Sequence, residues 1–140
     1  MNAHAMLRPT FVLVLWTFVM WTWMYATRIP AIRRLRVKLD PTAVRGEQMA
    51  QLPPEVRWKA DNYNHLFEQP TLFYAVTLAL AVLGGGGPLE VGLAWAYVAL
   101  RVVHSLVQSL VNKIELRFVI FALSSLVLLT LAIRGALLVG

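Results

Sequence analysis

The chain contains no cysteine and few charged residues, and both shortages restrict what it can be. Without cysteine there is no disulfide framework, no protein thiol nucleophile and no cysteine-ligated metal site. Only 14% of the 140 residues are charged, whereas 59% are hydrophobic. This balance is typical of a membrane protein and not of a soluble domain. Any thiol chemistry would therefore have to use a thiol carried by a substrate.

Acidic residues are also scarce, because 13 basic residues face 7 acidic ones and the net charge is +6. Such a surplus can indicate nucleic-acid binding. Here, however, eight of the thirteen basic residues lie in one polar connection between apolar stretches, from Arg28 to Lys59. Basic residues beside membrane segments are the usual mark of cytoplasmic loops. We therefore predict a lipid bilayer as partner and no nucleic acid.

Four apolar stretches are each close to the ~20 residues that a membrane-spanning helix needs. They predict helices at about 9–27, 55–83, 88–112 and 116–139, with a cytoplasmic loop over 28–54. The fold class is therefore all-α integral membrane, a bundle of four transmembrane helices in a single domain over 1–140. Because the first and third connections are basic, both termini should face the non-cytoplasmic side.

Proline and glycine add local detail to this plan. Pro70 should kink the second helix just past Glu68, because proline lacks a backbone donor and crowds the preceding turn. The glycine-rich segment over 84–88 predicts a tight turn between the second and third helices. It lacks the lysine and hydroxyl residue of a phosphate-binding loop.

Polar side chains interrupt the apolar stretches at helical spacing. Arg101, His104 and Gln108 step by three and four residues, so they line one face of the third helix. Asn64 and Glu68 lie on one face of the second helix in the same way. A charge inside a bilayer costs several kcal/mol unless it is paired or faces water, so it marks a functional site by default.

These groups should meet at one depth in the cytoplasmic half of the membrane. Counting the rise of each helix puts Glu68 about 9 Å, His104 about 12 Å and Arg101 about 16 Å from the membrane surface. We predict a polar pocket there, with Glu68 and Arg101 as an ion pair. Arg134, in the opposite half, is expected to extend outward to the interface. The alternative is that the polar groups only join helices by hydrogen bonds. No metal site is predicted, since His104 has no second ligand at suitable spacing.

The segments NHLFEQPTLFYA (64–75) and LRVVHSLVQ (100–108), with four apolar stretches and a basic first loop, resemble the MAPEG family, the membrane-associated proteins in eicosanoid and glutathione metabolism. The resemblance implies a homotrimer that binds glutathione between neighbouring subunits on the cytoplasmic side. It also implies that Arg117 is the catalytic residue that stabilises the glutathione thiolate. The expected glutathione-binding residues are Arg57, Asn64, Glu68, Arg101, His104 and Gln108.

This sequence departs from the family pattern at several of these positions. Asn64 precedes Glu68 by four residues where the family commonly has three, and Gln108 replaces a common tyrosine. Phe118 and Phe121 replace polar residues, which makes the expected site less polar. The departures indicate a divergent, bacterial-type member in the inner membrane, and they leave its enzymatic status open.

Two functions compete on these observations. The first is a glutathione-dependent transferase or peroxidase that acts on lipophilic electrophiles. The second is a non-catalytic accessory or structural membrane subunit that keeps the fold. A transporter or proton relay is disfavoured, because the polar stripe stops halfway across the membrane.

Overall fold

A computed structural model describes residues 3–84 and 86–140. These residues form five α-helices and one short 3₁₀ helix, and no β-strand is found among them. The helices are α1 (Ala3–Leu35), α2 (Pro54–His65), α3 (Pro70–Val82), α4 (Pro88–Leu110) and α5 (Ile114–Val139), with the 3₁₀ helix at Met49–Gln51. The all-α class predicted from the sequence is confirmed.

Three helices, α1, α4 and α5, are long and apolar enough to cross a membrane, by length and composition. In the most apolar 18-residue segment of each of these helices, only 28%, 39% and 22% is buried inside the chain. The rest is apolar surface that faces outward, which suits a lipid environment and not water. The remaining predicted stretch falls on α2 and α3, which are separate helices.

The helix expected over 55–83 is interrupted between His65 and Pro70. Over this break the backbone bonds reach back three residues, as from Phe67 N to Asn64 O (3.0 Å) and from Glu68 N to His65 O (3.2 Å). Pro70 has no backbone donor, and its ring would crowd the carbonyl four residues earlier. The structure therefore departs from the predicted kink: regular helix is lost over a complete turn before Pro70, and the expected helix is divided into two.

Helix α1 is longer than the predicted 9–27 and continues to Leu35. It ends where Arg36 adopts a positive φ of 52°, a conformation that commonly terminates helices. Arg28, Arg33 and Arg34, which were expected in a loop, are therefore on a helix. The eight residues from Arg28 to Leu35 extend α1 by about 12 Å.

The core is built on α1 and α4. Met6, Leu13 and Met20 follow one another at seven-residue spacing on α1, and all are fully buried. They pack with Phe73 and Leu80 of α3 and with residues of α4 and α5. Helix α4 contacts α1, α2 and α5, so its polar residues are enclosed by three neighbours.

The end of the bundle beside the glycine-rich turn carries an ion pair. Arg134 Nε donates to Glu90 Oε1 at 2.5 Å, and Glu90 is buried. The expectation that Arg134 extends outward is wrong, because the buried carboxylate of α4 holds it. Gly84 has a positive φ of 102°, as a tight turn requires; Gly85, also part of the predicted turn, lies outside the described residues.

Candidate functional site

A cleft of about 490 Å³ opens between α2, the break, α4 and α5. This volume is within the usual range of small-molecule sites. The polar residues that line it are Asp61, Asn64, His65, Glu68, His104, Gln108 and Arg117. Its apolar lining consists of Ile114, Phe118 and Phe121. The cleft therefore combines acidic, basic and aromatic groups on one surface.

The structure brings five of the seven expected site residues to this cleft. Asn64, Glu68, His104, Gln108 and Arg117 all line it. They come from α2, the break, α4 and the first turn of α5. Helical spacing explains why each pair shares a face, and the packing of α4 against α2 and α5 brings the faces together.

The other two expected residues, Arg57 and Arg101, are outside the cleft lining. Arg57 is exposed, and its Nε donates to the carbonyl oxygen of Leu52 at 3.0 Å. This bond fastens the connecting loop to the start of α2. Arg101 is fully buried, with 0% exposure. It is close enough to His65 and His104 of the cleft wall to interact electrostatically with both.

The predicted ion pair between Glu68 and Arg101 does not form. The Glu68 carboxylate instead contacts Nδ1 of His65 at 3.1 Å, and the Glu68 side chain is 69% exposed. The prediction was wrong because it assumed a continuous helix, whereas Glu68 lies on the break. None of the three guanidinium nitrogens of Arg101 has a hydrogen-bond partner among the residues that the structure describes. A buried charge in this state is costly, since arginine stays protonated.

Two histidines and a phenylalanine form a ring cluster in the cleft. The His65 ring lies 5.0 Å from the His104 ring and 5.6 Å from the Phe121 ring, measured between centroids. His65 is not among the residues that the sequence analysis expected at the site. Its contacts reach two other helices, so spacing along one helix could not reveal them.

Several polar atoms at the cleft are buried without partners. They are Nδ1 of His104, Oε1 of Gln108 and Nε of Arg117, together with the Arg101 guanidinium behind the wall. A buried polar atom left without a hydrogen bond costs about 1–3 kcal/mol. Polar groups without a protein partner are thus concentrated around this cleft in the part of the chain that the structure describes.

Gln69 holds the break in place beside the cleft. Its Oε1 accepts from the Tyr97 hydroxyl at 3.2 Å, and its Nε2 donates to Ser125 Oγ at 2.8 Å. One side chain thus links the break to both α4 and α5. The Tyr97 ring also stacks on Phe73 at 4.6 Å. Sequence analysis missed Gln69, although a glutamine directly before a membrane proline was a usable signal.

Lys59 joins three helices on the same side of the bundle as the loop. Its Nζ donates to the carbonyl of Glu55 at 2.8 Å and to that of Ser109, at the end of α4, at 3.4 Å. It also lies 5.1 Å from the Trp23 ring centroid of α1.

Within the described residues, no three His, Asp or Glu side chains are grouped so that they could hold a metal ion. The chemistry available to the cleft is thus that of guanidinium, imidazole, amide and carboxylate groups. These can bind a zwitterionic ligand, with arginine facing carboxylates and carboxylates facing an ammonium.

Comparison with known proteins gives one match. No curated protein and no solved structure matches the chain. The model of the MAPEG family matches residues 6–137, nearly the whole chain. The match covers α2, α3 and α4 completely and most of α1 and α5, together with every residue that lines the cleft. The resemblance drawn from the sequence is confirmed, and the chain belongs to the MAPEG family.

Proposed function

We propose that the protein is a glutathione-dependent transferase or peroxidase of the membrane, acting on lipophilic electrophiles. The observation that carries this proposal is the cleft, where Arg117 and two histidines share one surface with Asp61 and Glu68. Glutathione has two carboxylates and one ammonium, so it needs cationic and anionic partners together. The unpaired Arg101 adds positive charge behind the wall. Members of the MAPEG family generally use glutathione, which agrees with this donor set.

The residues of the cleft suit thiol chemistry. The nucleophile is the glutathione thiolate, and a neighbouring guanidinium stabilises it. Arg117 is assigned this role, since it is an arginine that lines the cleft. In the transferase reaction a sulfur–carbon bond forms, the leaving group departs, and the thiol proton passes to water. In the peroxidase reaction two glutathione thiols reduce one hydroperoxide to an alcohol and water, and they become one disulfide.

The lipophilic substrate would reach the cleft from the bilayer side. Phe118 and Ile114 of α5 line the cleft and are 68% and 67% exposed. An exposed apolar wall at the mouth of a polar cleft suits a reaction between a lipid-soluble electrophile and a water-soluble thiol. The same exposed surface supports the proposed homotrimer, in which a neighbouring subunit would cover part of it.

The proposed topology has four membrane crossings, with both termini on the non-cytoplasmic side of a bacterial inner membrane. Helix α3 has 13 residues, about 20 Å of helix, against the ~30 Å of a hydrocarbon core. The break and the end of α2 would supply the remaining length. The irregular backbone of the break packs against protein through Gln69, as irregular structure at membrane depth requires.

The assigned role of Arg117 is tested by kinetics of the detergent-purified protein with glutathione and chlorodinitrobenzene. We expect Arg117→Ala to lower turnover about 100-fold, the typical effect of removing a group that stabilises developing negative charge. The KM for glutathione should change much less. Lys113→Ala is the matched control, since Lys113 is an exposed cation at the same turn but outside the cleft lining. Equal losses in binding and turnover would contradict the thiolate role.

A second candidate function is a non-catalytic accessory subunit. It is favoured by Phe118 and Phe121 on the cleft wall, which make the site less polar than the family pattern leads one to expect. This function predicts no conjugation of any electrophile and copurification with a larger membrane complex. Glutathione binding separates the two, since only the enzyme needs it.

A further inference from the structure

The region between α1 and α2 carries a set of cations that the proposed chemistry does not use. We call the exposed side chains of Arg33, Arg34, Arg36, Lys38 and Arg45 the basic collar. None of them forms an ion pair with another residue that the structure describes. The nearby carboxylate of Asp40 accepts bonds from the backbone N–H (2.9 Å) and hydroxyl (2.7 Å) of Thr42 instead. The collar is therefore free to bind an anion from outside the chain.

The collar has a defined shape. Arg33 and Arg34 are on the last turn of α1, where Val37 N bonds to Ile32 O at 3.1 Å and closes the helix. Beyond it, Gln48 Nε2 donates to the carbonyl of Lys38 at 2.8 Å, which folds the segment back on itself. The positive side chains thus project from a folded segment and not from a free tail.

Apolar side chains lie among these cations. Leu35, Leu39 and Val44 are 47%, 68% and 75% exposed. Cations mixed with exposed aliphatic residues are typical of segments that lie in the interfacial layer of a membrane. Exposed aliphatic side chains contribute nothing to contacts with the phosphates of a nucleic acid, whereas they can insert between lipids. An anionic lipid therefore fits the collar better than a nucleic acid does.

The position of the collar along α1 agrees with the membrane surface. Trp21 and Tyr25 form an exposed aromatic pair, with ring centroids 5.2 Å apart, at the level expected of an interfacial belt. Arg33 follows Tyr25 by eight residues, about 12 Å along the helix. This distance places the collar at the headgroups, just outside the hydrocarbon core.

From these observations we infer that the basic collar binds anionic phospholipid headgroups of the adjacent leaflet, with Leu35, Leu39 and Val44 inserted beside them. The collar would hold the α1–α2 segment flat on the membrane. The inference is independent of glutathione, because none of these residues lines the cleft.

The test uses the full-length protein in nanodiscs and in detergent. Native mass spectrometry of the detergent-purified protein, titrated with phosphatidylglycerol or phosphatidylcholine, measures lipid affinity. We expect selective retention of phosphatidylglycerol by the wild type. Arg33→Gln/Arg34→Gln should weaken it about 10- to 30-fold, given the attraction per cation at an anionic surface. The control Arg8→Gln, in the first turns of α1 and far along the helix from the collar, should change it less than threefold. High salt should weaken wild-type binding.

Because the chain has no cysteine, an environment-sensitive dye on Val44→Cys gives a second readout. Its emission should shift to the blue in nanodiscs that contain phosphatidylglycerol, and less so in phosphatidylcholine alone. The inference is overturned if wild type shows no preference for phosphatidylglycerol, or if Arg8→Gln loses as much affinity as the collar pair. Binding of an oligonucleotide in place of anionic lipid would also overturn it.

Discussion

At the scale of single residues, Lys59 and Arg101 are both buried cations, but they differ in whether other residues of the chain hydrogen-bond to them. Lys59 is buried but satisfied, with two carbonyl partners and an aromatic ring. Arg101 is buried, and within the described residues none of its three nitrogens has a partner. The sequence showed Arg101 as a charge inside an apolar stretch and Lys59 as one of eight basic residues in the first connection. Only the coordinates show that Lys59 is paired and Arg101 is not. The unpaired residue is the one that an anionic ligand would stabilise.

Lys59 should therefore matter for stability. Lys59→Met keeps the side-chain length but removes the bonds to the Glu55 and Ser109 carbonyls, of which the second belongs to the end of α4. We expect a loss of about 1–2 kcal/mol in the free energy of unfolding, the usual cost of such hydrogen bonds. Thermal unfolding in detergent measures it. Lys113→Met, at an exposed position, should leave the midpoint unchanged, and equal midpoints for the two variants would refute the structural role.

At the scale of elements, the sequence predicted helix positions well but not the course of the second helix. The ends of α4 and α5 lie within two residues of the predicted 88–112 and 116–139, because hydrophobic runs and turn residues determine them locally. The break at 66–69 and the extension of α1 to Leu35 depend on contacts with other helices. Gln69 reaches α4 and α5, and no periodicity within one helix contains that information.

The turn between α3 and α4 depends on glycine at one close approach. A Cβ on Gly86 would lie 2.3 Å from Glu90 Cβ and 2.9 Å from Met6 Cε. Gly86→Ala should therefore displace Glu90, weaken its bond with Arg134 and cost about 1–3 kcal/mol. Gly92→Ala is the matched control, since a Cβ there meets nothing within 4 Å. It lies inside α4, where alanine favours the helix.

The measurement is the shift in thermal midpoint of each glycine variant in detergent. Gly86→Ala should unfold at a lower temperature than wild type, and Gly92→Ala at the same or a higher one. Should Gly86→Ala be as stable as wild type, the close packing of the turn against Glu90 would be disproved.

At the scale of the whole molecule, the chain is a MAPEG protein whose polar cleft lies among helices with largely apolar outer faces. Five of the seven residues that the sequence analysis expected at the site line this cleft, because helical spacing and helix order suffice to bring them together. It failed for the Glu68–Arg101 pair, because the break at Pro70 turns Glu68 outward. Rotation at a helix break follows from three-dimensional packing and is not encoded in residue spacing.

The central claim is that the cleft, with Arg101 behind it, binds glutathione. Arg101→Leu should not lower the thermal midpoint, because it removes a buried charge that has no partner in the described chain. It therefore separates binding from folding. Lys113→Leu serves as the control for loss of one positive charge.

The decisive measurement is calorimetric titration of glutathione into the detergent-purified wild type, Arg101→Leu and Lys113→Leu. The account predicts saturable heat for wild type and the Lys113 variant. Arg101→Leu should bind about tenfold more weakly, because it removes a positive charge behind the cleft wall, where the protein interior screens charges less than water does. Wild type that releases no heat at millimolar glutathione, or Arg101→Leu that binds as tightly as wild type, would contradict it.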